Sequence, residues 1–257
     1  MLALDLTGDF FVCHKRHLPL IGLDNSELQL LGTHNGLTVF QIVGSGTSLY
    51  SQFSNIPGFS LHRHLDKFYL LTPDESYSVR QQLLDSFFGL IASNYESLID
   101  IERNKENIKN LISILQQSLD QLSRAKIIDY GCGTGLSLRV RETTNVELIG
   151  VDSCPTMRQI AALRGMIVWS PGQLAQQPKD SLDGAFASYV FHLCPHTAGL
   201  RLLWSRLRYG GVFVANFHKG EGVENVKQCI AELGGVPLAL SSSLSEKHGL
   251  YLAYLKQ

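Results

Sequence analysis

Apolar residues return at helical spacing between Ser76 and Leu122, first as Val79, Leu83, Leu84, Phe87, Phe88 and Ile91, then from Leu98 to Leu122 with polar residues on the opposite face. This period predicts two or three amphipathic helices. The stretch from Phe10 to Phe53 differs, with short apolar runs broken by glycine. Asn35-Gly36 stands between Leu28–Leu31 and Leu37–Val43, which predicts a β-hairpin, while Gly44–Ser48 reads as loop and Pro57-Gly58 as a turn. After Ala125 the apolar runs become short and continuous, as buried parallel strands do. Lys126–Tyr130, Glu147–Val151, Met166–Trp169 and Val212–Phe217 are the expected strands. Helices are expected over Pro155–Arg164, where proline suits the first turn, and over Leu200–Leu207 and Val223–Leu233, with Tyr209-Gly210-Gly211 as a turn. Val236–Leu240 and Leu250–Leu255 would add two strands.

The chemistry concentrates after the first of these strands. Asp129-Tyr130-Gly131-Cys132-Gly133-Thr134-Gly135 follows the apolar pair Ile127-Ile128, and 17 residues past Gly135 a second apolar run closes on Asp152 and Ser153. Glycines there let backbone approach a ligand and enter a helix, and a carboxylate at the neighbouring strand's tip can accept hydrogen bonds from both hydroxyls of a ribose. A plainer reading has the glycines making a tight turn and Asp152 capping the helix at Pro155. The dinucleotide fingerprint wants a glycine where this chain has Leu136, and Asp129 would repel a pyrophosphate. That negative charge suits a ligand carrying an ammonium and a sulfonium, which describes S-adenosylmethionine.

On Asp129, Gly131, Gly133, Gly135 and Asp152, the chain from about Leu98 to Gln257 resembles the class I S-adenosylmethionine-dependent methyltransferases. The resemblance implies an α/β, Rossmann-like, doubly wound, mostly parallel seven-stranded sheet whose last strand is antiparallel. It implies a cofactor site of Asp129, Gly131, Cys132, Gly133, Gly135, Asp152, Ser153, Gln173, Ser188 and Tyr189. Where many relatives carry an acidic residue for the adenine, this chain has Ser170-Pro171-Gly172-Gln173, so Gln173 or backbone groups take that role. The segment Asn94–Leu98 resembles a tyrosine-bearing lid helix, which makes Tyr95 a candidate at the acceptor, although packing within a helix interface explains Tyr95 equally well. The domain reading is a β-rich accessory segment over 1–75, a helical lid or linker over 76–125 and the methyltransferase domain over 126–257.

Methyl transfer from a sulfonium is an in-line displacement that needs alignment and dryness more than reactive side chains. If the acceptor is a hydroxyl or protonated nitrogen, a base near neutral pKa helps, and His192 is the first candidate with His196 behind it. A half-buried histidine packing at a strand end is the other reading of His192. A metal between His192 and His196 is rejected, because Pro195 interrupts any helix joining them.

Length and charge narrow the class. The chain has 257 residues and a formal net charge of −1, with the first 125 residues net acidic and the rest mildly basic. That leaves room for one large α/β domain and an accessory segment, and gives no strong attraction for nucleic acid. Asp5 and Asp9 stand where a basic leader would, and no apolar run reaches spanning length, so neither signal peptide nor membrane contact is expected and the cytoplasm is the default. Cys13, Cys132, Cys154, Cys194 and Cys229 are odd in number with no Cys-x-x-Cys pair, and read as free thiols. Cys132 fits as a small residue beside the cofactor rather than as a nucleophile. The expected activity is methylation of a small-molecule substrate, with a homodimer formed through the N-terminal segment. The alternatives are a non-catalytic S-adenosylmethionine binder in regulation or assembly and a peptide or protein methyltransferase. A nicotinamide oxidoreductase is disfavoured by Asp129 and Leu136, and nucleic-acid methylation by the absence of an Asn/Asp-Pro-Pro-Tyr/Phe motif.

Overall fold

The computed structural model describes residues 8–21, 26–43, 51–74, 77–119, 124–140, 146–191, 197–217, 220, 222–240 and 250–257. Contacts divide the chain into two units, Met1–Leu98 and Ile99–Gln257.

In the first unit, β1 (Phe10–His14), β2 (Leu28–His34), β3 (Leu37–Ile42), β4 (Phe59–His64) and β5 (Phe68–Pro73) form a sheet in the order β2-β3-β1-β5-β4. The hairpin expected at Asn35-Gly36 joins β2 to β3, with φ of 47° and 82° at its two central residues. Both angles are positive, as a tight hairpin matching the strand twist requires, and Asn and Gly adopt them at least cost. One face stacks Phe11 on Phe53, with ring centroids 4.6 Å apart. On the other, Phe87 of the helix Tyr77–Ile91 meets Phe68 edge-on at 5.2 Å. The helical stretch read from 76 to 125 thus divides between the units: Tyr77–Ile91 and Tyr95–Leu98 lie in the first, Ile101–Ser118 in the second.

The second unit carries β6 (Lys126–Tyr130), β7 (Glu147–Val151), β8 (Ile167–Trp169), β9 (Leu182–Ser188), β10 (Leu207–Phe217), β11 (Gly235–Pro237) and β12 (Leu250–Lys256). They make one seven-stranded sheet in the order β11-β12-β10-β9-β6-β7-β8. Strands β6 to β10 pair in parallel, and β12 runs against both of its neighbours. This is the Rossmann-like doubly wound sheet with a reversed strand near its end. Alternate residues supply the two faces, as the pleat dictates. Ile128, Ile149, Ala185 and Phe213 pack with Leu200, Trp204 and Ile230 of the helices Thr197–Arg206 and Val223–Glu232. Ile127, Phe186, Val212 and Val214 pack with Leu111 and Leu115 of the helix 101–118.

One expected turn is different in the structure. Tyr209-Gly210-Gly211 lies inside β10, which begins at Leu207 and shifts register between Leu207 and Val212. A bulge absorbs the extra residues, and Gly210 at φ 74° permits it. Among the described residues, Cys13, Cys132, Cys154 and Cys229 are free and buried, whereas Cys194 lies outside them. No helix among the described residues is long and apolar enough to cross a membrane.

Candidate functional site

The C-terminal tips of β6, β7 and β9 stand side by side, the edge at which open α/β sheets bind ligands. After Tyr130 the chain turns back under a loop in which Gly131, Gly133 and Gly135 have φ of 76°, 53° and 81°. The Gly131 and Cys132 N–H groups donate to Val151 O at 2.7 and 3.1 Å, hanging the loop on β7. Gly131 is required by packing as well as by backbone, because a Cβ there would stand 2.3 Å from Val190 Cγ2.

Asp152 joins the loop to the next helix. Its Oδ2 accepts from Gly133 N at 2.9 Å and its Oδ1 from Cys154 N at 2.8 Å. One oxygen shapes entry to the helix Pro155–Leu163, and the carboxylate lies beside the loop at the sheet's edge. Arg158 braces the tip from below, donating to Asp152 O at 2.7 Å and Ser153 O at 2.8 Å.

Asp129 is 4 % exposed, with its Oδ2 accepting from Ser137 Oγ at 2.5 Å. Burial pushes its carboxyl up to about 7, the Ser137 hydroxyl opposes this, and the nearby Asp152 charge adds to it. Asp129 is therefore a full anion only above neutrality. Burial also raises the Cys132 thiol far above its usual range, with Asp129 and Asp152 reinforcing the shift. A thiol so held is a poor nucleophile. Its Sγ fills the room over Gly150, where a Cβ would come within 2.7 Å.

Gln173 takes part in a local helix cap. Ser170 Oγ accepts from Gln173 N at 3.2 Å, and Gln173 Oε1 accepts from Ser170 N at 2.8 Å, a reciprocal cap on the short helix Pro171–Ala175. The Ser-x-x-Gln spacing announces such a box.

The tip of β9, where the sequence placed Ser188 and Tyr189, is held by three residues of other elements that the sequence did not single out, Asn107, Asn216 and Tyr251. Tyr189 has φ of 57°, a left-handed backbone that costs an L-residue about 1–2 kcal/mol. Its N–H donates to Asn216 Oδ1 on β10, and its hydroxyl accepts from Asn107 Nδ2 on the helix 101–118. Asn107 in turn accepts from the Tyr251 hydroxyl on β12. A signal existed for both asparagines: Asn107 adjoins the apolar stripe of Ile108, Leu111 and Leu115, and Asn216 continues the inward positions of Val212 and Val214. A polar residue at a core-facing position needs a partner.

The structure brings Asp129, Gly131, Cys132, Gly133, Gly135, Asp152, Ser153, Ser188 and Tyr189 to the strand tips of one sheet. Tyr95 belongs to the first unit, where its ring meets Phe88 edge-on at 6.2 Å. His192 and His196 lie outside the described residues, and no group of acidic, histidine or cysteine side chains among the described residues could hold a metal.

Residues 128–215 match the family model of a methyltransferase domain. No curated protein matches. Among solved structures, the chain is similar to an S-adenosylmethionine-dependent methyltransferase from Thermotoga maritima, with 18% identity, a TM-score of 0.48, and 66% of this chain and 98% of that one covered. It is similar to one from Archaeoglobus fulgidus at 19% identity and a TM-score of 0.47, covering 61% of this chain and 95% of that one. A third is magnesium protoporphyrin IX methyltransferase from Synechocystis, at 15% identity and a TM-score of 0.47, covering 60% and 80%.

Proposed function

Because residues 128–215 match the family model of a methyltransferase domain, we propose that this chain is a class I S-adenosylmethionine-dependent methyltransferase that transfers the donor's methyl group to a small-molecule acceptor. The observation that carries the reading is the Asp152 carboxylate, held at the tip of β7 between the N–H groups of Gly133 and Cys154. A carboxylate fixed at that edge suits the paired hydroxyls of a ribose, and the glycine loop beside it offers backbone to the rest of the donor. The residues fit this cofactor in charge as well, since the buried Asp129 favours a cation near the loop.

When bound, the donor supplies a methyl carbon on a positively charged sulfur, open to in-line displacement. The chain's part is to hold and orient the reactants and exclude water. Asp152 takes the ribose, the Gly131–Gly135 loop lies along the methionine portion, and Ser188 and Tyr189 stand at the strand end nearest the reacting atoms. His192 is the proposed base, accepting the proton of an acceptor hydroxyl or ammonium on an imidazole nitrogen. His192→Gln should lower methyl transfer about 100-fold or more while donor affinity stays at the parent value. An unchanged turnover removes His192 from the reaction.

Incubation with methyl-labelled donor and a cell extract tests the acceptor class. Label in the dialysable fraction supports a small molecule, label in protein overturns it, and donor binding with no transfer to any fraction favours a binding protein without turnover.

A pH dependence follows from Asp129. Its carboxyl is neutral below about 7 and ionised above, and a cationic donor prefers the ionised form. Affinity for S-adenosylmethionine should therefore fall as pH drops below 7, by up to about tenfold per unit. Asp129→Asn should bind more weakly at pH 8 and lose this slope. Titration calorimetry between pH 5.5 and 8 reads it, and parallel profiles for parent and variant would exclude Asp129 as the source.

A further inference from the structure

Tyr189 closes β9 with a left-handed backbone that an aromatic residue keeps only where its surroundings enforce it. Both ends of the residue are gripped. Its N–H donates to Asn216 Oδ1 at 3.0 Å, and its hydroxyl accepts from Asn107 Nδ2 at 2.6 Å. Asn107 is fixed in turn, with Oδ1 accepting from the Tyr251 hydroxyl at 2.5 Å and the amide nitrogen also donating to Arg103 O at 2.8 Å. Tyr251 faces Asn216 across the register of β12 and β10. Asn107 has no solvent exposure and Asn216 only 1 %. Strand β10 and the helix 101–118, the latter braced from β12, thus hold the one residue that follows β9.

Its location decides what the grip accomplishes. One residue further, Val190 lies against Gly131 so closely that the glycine has no room for a side chain. On its other side, the loop hangs from Val151 O by the N–H groups of Gly131 and Cys132. The donor loop is therefore wedged between the tips of β9 and β7, and the backbone direction at Tyr189 sets where the β9 wedge stands.

We propose that Asn107, Asn216 and Tyr251 are positioning residues, a clamp on Tyr189 that presets the β9 tip and, through Val190, the Gly131–Gly135 loop for the methyl donor. The proposal rests on the donor reading above. A loop already in its binding conformation does not have to be ordered by the ligand, so affinity retains what ordering would remove.

Tyr251→Phe takes away one hydroxyl and keeps the ring, so the fold survives. It should weaken S-adenosylmethionine binding about three- to tenfold, the net effect of one hydrogen bond. Tyr189→Gly supplies a residue that enters the left-handed region without a clamp. In that background, adding Tyr251→Phe or Asn107→Ala should produce no further loss of donor affinity. A role in stability alone would lower the melting temperature in both backgrounds and leave donor affinity where it was. Parent affinity in Tyr251→Phe, or an equal loss in the Tyr189→Gly background, overturns the clamp. If the parent protein itself fails to bind the donor, the donor reading falls and the clamp with it, whereas parent binding with an unaffected Tyr251→Phe removes only the clamp.

Discussion

Replacing Asp152 by alanine should lower the affinity for S-adenosylmethionine by about 100-fold or more. A hydrogen bond to a charged group is worth about 1.5–3 kcal/mol, and the variant loses the acceptor proposed for the ribose. The upper end of that range is expected, because the same carboxylate holds Gly133 N and Cys154 N. Without it the loop loses an anchor on the β7 side, and two backbone donors must find water. Asp152→Asn should fall between parent and alanine, since its amide oxygen can keep one of these N–H bonds but carries no charge. Titration calorimetry decides the matter, with circular dichroism to establish that the fold is intact. A folded Asp152→Ala protein that binds at parent affinity would falsify the assignment of this carboxylate to the donor.

Gly131→Val should abolish donor binding and destabilise the second unit. Two costs add at this position. The backbone at φ 76° is one that a β-branched residue enters only under strain. The new Cβ would also stand 2.3 Å from Val190 Cγ2, and 3.1 Å from its Cγ1. Overpacking of this kind typically costs about 1–3 kcal/mol, and relief requires the loop or the β9 tip to move. Either movement spoils the donor site. Gly131→Ala combined with Val190→Ala relieves part of the collision and should recover more donor affinity than Gly131→Ala alone. Thermal unfolding and calorimetry on this set separate the two costs. Equal affinity in the single and double variants would show that the contact with Val190 is not what constrains the loop.

The expected and observed elements agree where the cause is local. The Asn35-Gly36 hairpin forms because those two residues tolerate positive φ, and the Pro155–Leu163 helix starts at a proline that needs no N–H partner. The cap at Gln173 was legible too, since Ser170 and Gln173 are three apart and satisfy each other's backbone groups. Gly210-Gly211 looked like a turn because glycine marks both turns and bulges, and only pairing of β10 with β9 selects the bulge.

The spacing of Asp129, the three loop glycines and Asp152 determined by itself that a glycine loop and an acidic strand end would meet, because adjacent parallel strands bring their tips together once each run is long enough to be a strand. The apolar periods likewise determined a layered sheet with helices. Tertiary structure alone decided that Asn107, Tyr189, Asn216 and Tyr251 converge, as the bond between Asn107 and Tyr251 spans 144 positions of sequence. It also decided that Val190 wedges Gly131, that Asp129 is buried deeply enough to titrate at about 7, and that the helices of residues 77–118 divide between two units. These depend on which surfaces meet after the chain has folded. Periodicity reports which face of an element is apolar, but a side chain's partner is chosen by packing between elements that are distant in sequence.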